Sequence, residues 1–217
     1  MQFYNRLNIK EQSDLIDKSG KDRIVLSFYK YSYLGNPKIF RNYLYVKLSA
    51  IDVLGRIYIA SEGINAQISL PLENLPFLRN ELDKITFLNN IPFNYALVSE
   101  NKSFLKLTIK VKNKIVADGL ESQEIDLSKR GTYVDASEFN KLLEKKDTIC
   151  IDMRNHYESE VGHFKNAIIP DVDTFRESLP LIEKTFFNEK NDKNFLLYCT
   201  GGIRCEKASA YFKQKGF

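Results

Sequence analysis

The residues with the strongest chemical character lie together near the end of the chain, in Tyr198-Cys199-Thr200-Gly201-Gly202-Ile203-Arg204-Cys205. An apolar run over residues 194–199 reads as a strand ending on Cys199, and a helix is expected over 204–215, closed by Gly216. A cysteine at a strand end can be inert packing. Here two glycines follow, and their conformational freedom lets the intervening backbone amides turn toward one point. Those amides, the helix N-terminus and the Arg204 guanidinium all favour negative charge, which lowers a thiol pKa and yields the nucleophilic thiolate. Cys199 and Arg204 are therefore the candidate catalytic residues, and Thr200, Gly201, Gly202 and Ile203 form the candidate active-site loop. A loop with five residues between cysteine and arginine is sized for a tetrahedral phosphate. The four residues here make a smaller cradle, suited to a sulfur-bearing group on the cysteine. Cys205 is a candidate redox partner that would resolve an oxidised Cys199 through a disulfide, with simple packing as the other reading. Cys150 lies in the apolar run 148–153 and reads as inert core.

In an open α/β sheet, ligands bind beyond the carboxyl ends of the strands, so this loop needs a parallel sheet behind it. The second half of the chain supplies the pattern. A helix begins after Asp135-Ala136-Ser137-Glu138, a capping-box sequence, followed by a strand over 148–153, a helix over 173–187, and the strand and helix that flank the loop. The first half reads differently, with strands over 23–34, 55–60, 63–70, 93–99 and 104–111 and helices over 36–52 and 72–86. The order βαββαβ, with one extra strand, is that of a ferredoxin- or acylphosphatase-like α+β sandwich. Residues 116–131 are polar, contain Gly119 and Gly131, and read as a linker between domains at 1–115 and 132–217.

Composition excludes several classes. The 217 residues are 43% hydrophobic and 28% charged, as in a globular protein. No apolar run approaches the roughly 18 residues of a membrane helix, and no secretory signal is visible, so a cytoplasmic protein with no membrane partner is expected. Three cysteines do not make a disulfide framework. Two histidines without a spaced Cys/His cluster give no metal site, and no nucleotide-binding fingerprint occurs, so no cofactor is evident. Nothing sets an oligomeric state.

Residues 1–130 hold 19 Lys/Arg and 14 Asp/Glu, a balance of +5, whereas residues 131–217 carry −1. A basic first half points toward a polyanion. Within it, Lys106, Lys110 and Lys112 fall on one side of an alternating strand and are candidate RNA-binding residues; a solvated edge strand gives the same pattern. Phe28, Tyr29, Tyr31 and Tyr33 supply either core or stacking surface. Glu62-Gly63-Ile64-Asn65 reads as turn chemistry, with a role toward RNA or the cysteine loop as the alternative.

The second half resembles a rhodanese domain. Asp152-Met153-Arg154 with Glu158 resembles its Asp-x-Arg-x-x-x-Glu segment, and Gly162-His163 through Ala167 and Pro170 its Gly-His segment. The resemblance implies structural support from Asp152, Arg154 and Glu158 beneath the active site. Taken with Glu62-Gly63-Ile64-Asn65 and Cys199 through Ser209, the chain resembles the rhodanese-related bacterial tRNA uridine 5-hydroxylases over nearly its whole length. That resemblance implies oxygen-dependent 5-hydroxylation of a wobble uridine, with molecular oxygen as co-substrate, tRNA as partner and Cys199 as the essential cysteine. Addition of the Cys199 thiolate to the uracil ring and a persulfide on Cys199 both remain open, as does plain sulfurtransfer. Rhodanese domains continue past the active-site helix, so the resemblance also implies a domain truncated at its C-terminal end.

Overall fold

A computed structural model describes residues 7–97, 101–120 and 125–217. The chain divides into two compact units, Met1–Ile115 and Val116–Phe217.

The first unit opens with helix α1, Ile9–Ser19, which the sequence reading leaves out. Its signal is local: Asn8 accepts the amide of Glu11 while the Glu11 carboxylate accepts the amide of Asn8, a reciprocal cap. Strand β1 (Arg23–Tyr31), helix α2 (Pro37–Ser49), β2 (Leu54–Ala60), β3 (Gly63–Pro71), helix α3 (Leu75–Asp83), β4 (Asn94–Tyr95) and β5 (Leu107–Val111) follow. The sheet order is β4-β1-β3-β2-β5, with β5 parallel to β2 and the other neighbours antiparallel. This is the split-βαβ sandwich with one added edge strand.

The helix expected over 72–86 is shorter and interrupted. A 3-10 turn, Leu72–Asn74, precedes α3, because Pro76 fits only in the first turn of an α-helix, and a second, Thr86–Leu88, follows it. The strand expected over 93–99 is reduced to β4, and residues 98–100 lie outside the described residues. Alternation along the strands separates the faces. Leu26, Phe28, Ile57, Ile59, Ile64, Ile68, Leu107 and Ile109 pack with Leu44 and Leu48 of α2 and Leu78 and Leu82 of α3. Gly63 starts β3 at φ 144°, where a Cβ would lie 2.1 Å from the Lys30 carbonyl oxygen, so only glycine lets β1 and β3 close here.

The second unit contains α4 (Ala136–Leu143), β6 (Thr148–Asp152), α5 (His156–Val161), α6 (Phe175–Thr185), β7 (Asn194–Tyr198) and α7 (Ile203–Gln214). β6 and β7 pair in parallel, and Ile168 adds a parallel bridge to Ile151. Helix α5 is a second element absent from the sequence reading. The core joins Ile151 and Met153 to Phe175, Leu179 and Ile182 of α6 and Ala208, Tyr211 and Phe212 of α7. Of the stretch 116–131 read as a linker, Val116, Leu120 and Ile125 pack on this core. Asp118 is fully buried, with Oδ2 2.6 Å from Lys207 Nζ of α7. Polarity marks this stretch as a linker, but Val116, Leu120 and Ile125 pack on the core and the charge of Asp118 meets a buried partner. No helix among the described residues is long and apolar enough to cross a membrane.

Candidate active site

β7 ends at Tyr198, one residue before Cys199, and α7 begins at Ile203. Between them Gly202 adopts φ 88°, a left-handed conformation that suits glycine, at the N-cap of α7. This turns its amide back so that Gly202 N–H donates to Cys199 Sγ at 3.1 Å. The thiol is half-buried. The Cys205 thiol donates to it, burial opposes ionisation, and the amides of Cys205 and Arg204 and the Arg204 charge favour the thiolate, leaving Cys199 at about 5. Cys205 is driven the other way, well above the ordinary thiol range, because it hydrogen-bonds to Cys199 as the neutral donor and is itself desolvated. The two sulfurs therefore form an asymmetric pair: a ready thiolate and a thiol that holds its proton.

Arg204 is fixed by Glu158. Arg204 Nη1 donates to Oε1 at 2.5 Å and Nη2 to Oε2 at 2.8 Å, a bidentate pair. Thr200 Oγ1 donates to the same carboxylate at 2.7 Å and accepts from Arg204 Nη2 at 3.2 Å. Burial pushes the Glu158 carboxyl up, but Arg204 and Thr200, with the Asn155 amide, hold it down at about 2. One carboxylate thus pins both ends of the cysteine loop. Its own position comes from α5, where Glu158 caps the helix by accepting Asn155 N–H.

Beneath lies a second node. Asp152, at the end of β6 and fully buried, accepts from Arg154 N, Nε and Nη2, from Ser159 Oγ and from Tyr198 Oη. Desolvation disfavours its charge, but these donors outweigh it and hold the carboxyl below its ordinary range. Arg154 also donates to the Gly162 carbonyl at 2.6 Å, which fixes the turn after α5. Sequence reasoning missed Tyr198 and Ser159. Tyr198 sits on the strand leading into the loop, where it reads only as an apolar strand residue; Ser159 lies on α5, which sequence reading left unassigned.

Cys150 is buried on β6, and burial together with Asp152 pushes its thiol up to about 11. Lys106, Lys110 and Lys112 are all exposed in the first unit, Lys110 on β5 and the other two flanking it. Glu62 Oε1, in the turn between β2 and β3, accepts Ile115 N–H at 2.8 Å, and Asn65 Nδ2, on β3, donates to the Ile115 carbonyl at 3.2 Å. These two residues clamp the backbone at the end of the first unit.

Residues 23–115 match the family described as the UPF0176 acylphosphatase-like domain, and residues 135–217 match the rhodanese-like domain. A tRNA uridine(34) hydroxylase of Photorhabdus laumondii is 48% identical over 216 residues, covering 99% of this chain and 61% of its own length. One of Leptospira interrogans is 48% identical over 202 residues, covering 93% of this chain and 55% of its own. One of Escherichia coli strain SE11 is 45% identical over 216 residues, with 99% and 61% covered. The chain therefore spans no more than 61% of the length of these curated relatives.

Proposed function

Because the chain belongs to the family that joins a UPF0176 acylphosphatase-like domain to a rhodanese-like domain, we propose that it is a cytoplasmic tRNA-modifying enzyme. It hydroxylates C5 of the wobble uridine, the activity in the name of relatives 45–48% identical to it. The observation that carries the chemistry is Cys199, a thiolate at neutral pH in a loop of converging amides. Such a sulfur adds to C6 of the uracil ring. The S–C6 bond forms, and the C5=C6 electron pair moves to C5 and the C4 carbonyl, where the ring becomes nucleophilic. Molecular oxygen supplies one atom to C5. The other leaves as water, using two electrons and two protons from a thiol reductant. Loss of the C5 proton and of the Cys199 thiolate then restores the double bond. The Arg204 cation, held by Glu158, favours the thiolate both before addition and as it leaves. Lys106, Lys110 and Lys112 face the tRNA phosphates in this reading.

The same loop also accommodates a persulfide on Cys199, since its converging amides favour any anionic sulfur there. One set of measurements tests both. Wobble nucleosides are analysed by mass spectrometry in a strain lacking the gene and complemented with this chain or its Cys199→Ser variant. Restored 5-hydroxyuridine with the chain and none with Cys199→Ser is expected; full restoration by the variant refutes the role of Cys199. A covalent adduct with a 5-fluorouridine stem-loop supports C6 addition. Absence of the adduct, with one extra sulfur atom on Cys199, moves the mechanism to the persulfide.

A further inference from the structure

Two of the chain's thiols, those of Cys199 and Cys205, are in contact. Cys199 lies in the loop after β7, and Cys205 is the third residue of α7. The Cys205 S–H donates to Cys199 Sγ, and the Cys205 amide donates to the same sulfur. Gly202 N–H approaches that sulfur from the loop at 3.1 Å. Both cysteines are partly buried and pack against the edge of one apolar core. Cys150 stands apart: it is buried on β6, and the charge that bears on it is that of Asp152. Addition of Cys199 to uracil uses Cys205 only as a hydrogen-bond donor, so a second sulfur touches the nucleophile with no bond to make.

We propose that Cys205 is the resolving thiol of Cys199, and that the pair closes reversibly to a disulfide when a hydroperoxide oxidises the thiolate. The Cys199 thiolate attacks the terminal oxygen of the hydroperoxide. An S–O bond forms, the O–O bond breaks, and the leaving alkoxide takes a proton from water. Sulfur loses two electrons and the peroxide gains them, leaving a sulfenic acid and an alcohol, or water where the oxidant is hydrogen peroxide. The Cys205 sulfur then attacks Cys199 Sγ. The S–S bond forms, the S–O bond breaks, and hydroxide leaves with the proton of Cys205 as water. The order of these steps is built into the pair. While Cys199 is an anion, its charge and its acceptance of the S–H bond hold the proton on Cys205. The sulfenic acid carries no charge, so both restraints lapse, and the Arg204 cation and the N-terminus of α7 then favour a Cys205 thiolate. Two sulfurs already in hydrogen-bond contact need only close to about 2.05 Å. Gly201 and Gly202 give the connecting loop the backbone freedom to follow. A linked thiol acts at an effective concentration of about a millimolar, above that of a micromolar oxidant, so the disulfide forms ahead of irreversible sulfinic acid. Closure removes the thiolate, and the site is off until a dithiol opens the bond by exchange. A hydroperoxide reaches this thiolate whether or not tRNA is the substrate, so the inference stands apart from the tRNA reading.

The test uses the full chain, reduced, freed of reductant and treated at neutral pH with a small excess of hydrogen peroxide. Free thiols are blocked with iodoacetamide, which is kept through denaturation, and the chain is digested with trypsin without reduction. Trypsin cuts after Lys193, Arg204 and Lys207, so the disulfide shows in mass spectrometry as residues 194–204 joined to residues 205–207. That joined pair is expected in wild type, together with a loss of Cys199 alkylation that dithiothreitol restores. Cys205→Ser keeps an O–H donor to the thiolate but has no sulfur to close the ring. Peroxide carries this variant to the sulfinic acid, and dithiothreitol restores nothing. Cys150→Ala gives the wild-type map. The wild-type map decides by itself where a variant does not fold. Sulfinic acid forming on wild-type Cys199 as fast as in Cys205→Ser overturns the proposal. So does Cys199 joined to Cys150, or to Cys199 of a second molecule. Each of those results leaves the hydroxylase reading intact, since the wobble nucleosides report on it separately.

Discussion

Replacing Cys205 with alanine tests the electrostatic origin of the active thiolate. The Cys205 thiol is the largest contributor holding Cys199 at about 5. A hydrogen bond to a charged group is worth roughly 1.5–3 kcal/mol, and a pKa shift of one corresponds to about 1.36 kcal/mol. Losing that donor therefore moves Cys199 up by about one to two, to between roughly 6 and 7. It does not return to the ordinary thiol value, because the residue-205 amide survives the substitution and the Arg204 amide and charge are untouched. The assay is the rate of iodoacetamide alkylation against pH. Cys150 is silent in it below pH 8, since its thiol is buried and pushed up to about 11, and Cys205 is pushed well above the ordinary range. Wild type inflects near pH 5 and is flat from pH 6 to 8; Cys205→Ala inflects one to two pH units higher. The plateau rate rises a few-fold at most, because a more basic thiolate is intrinsically more nucleophilic, so the inflection is the quantity to read. Cys205→Ser retains an O–H donor and stays within about one pH unit of wild type. An inflection unmoved in Cys205→Ala, or a wild-type inflection above pH 8, refutes the argument.

The remaining predictions concern stability. Asp118→Asn removes the carboxylate charge facing the buried Lys207 ammonium and lowers the urea unfolding free energy by about 3–5 kcal/mol. Asp118→Leu/Lys207→Met recovers most of that loss, and equal losses in single and double variants would show that the pair is not the cause. Glu158, at about 2, has a depressed carboxyl, so its contribution is present above the unfolded carboxylate range near 4.5 and is lost as pH falls toward 2. Urea midpoints measured at pH 7 and pH 3 fall steeply for wild type and less for Glu158→Gln, which carries no ionisable group at this position; parallel falls would refute the assignment.

Much of the fold was legible because its signals are local. Alternation separates Leu107 and Ile109 from Lys110 whatever lies nearby, and the two βαβ halves follow from the order of such segments. Two helices escaped the sequence reading, yet both carry a local signature: Asn8 with Glu11, and Asn155 with Glu158, are each a capping pair three residues apart. The 116–131 stretch reads as a linker from its polarity, whereas the burial of Asp118 depends on Lys207, a residue 89 positions away that no window of sequence connects to it.

A cysteine that precedes two glycines and an arginine at a strand-to-helix turn is legible from the order of residues alone, and it suffices to expect a stabilised thiolate. Backbone freedom and charge at that turn are properties of neighbouring residues. How the turn is held depends on contacts made only when distant segments pack. Glu158 arrives from α5 to grip Arg204 and Thr200, Asp152 gathers Arg154, Ser159 and Tyr198 beneath them, and Cys205 turns inward to donate to Cys199. These are contacts between segments brought together by core packing, where a carboxylate is charged only because donors from several elements meet it.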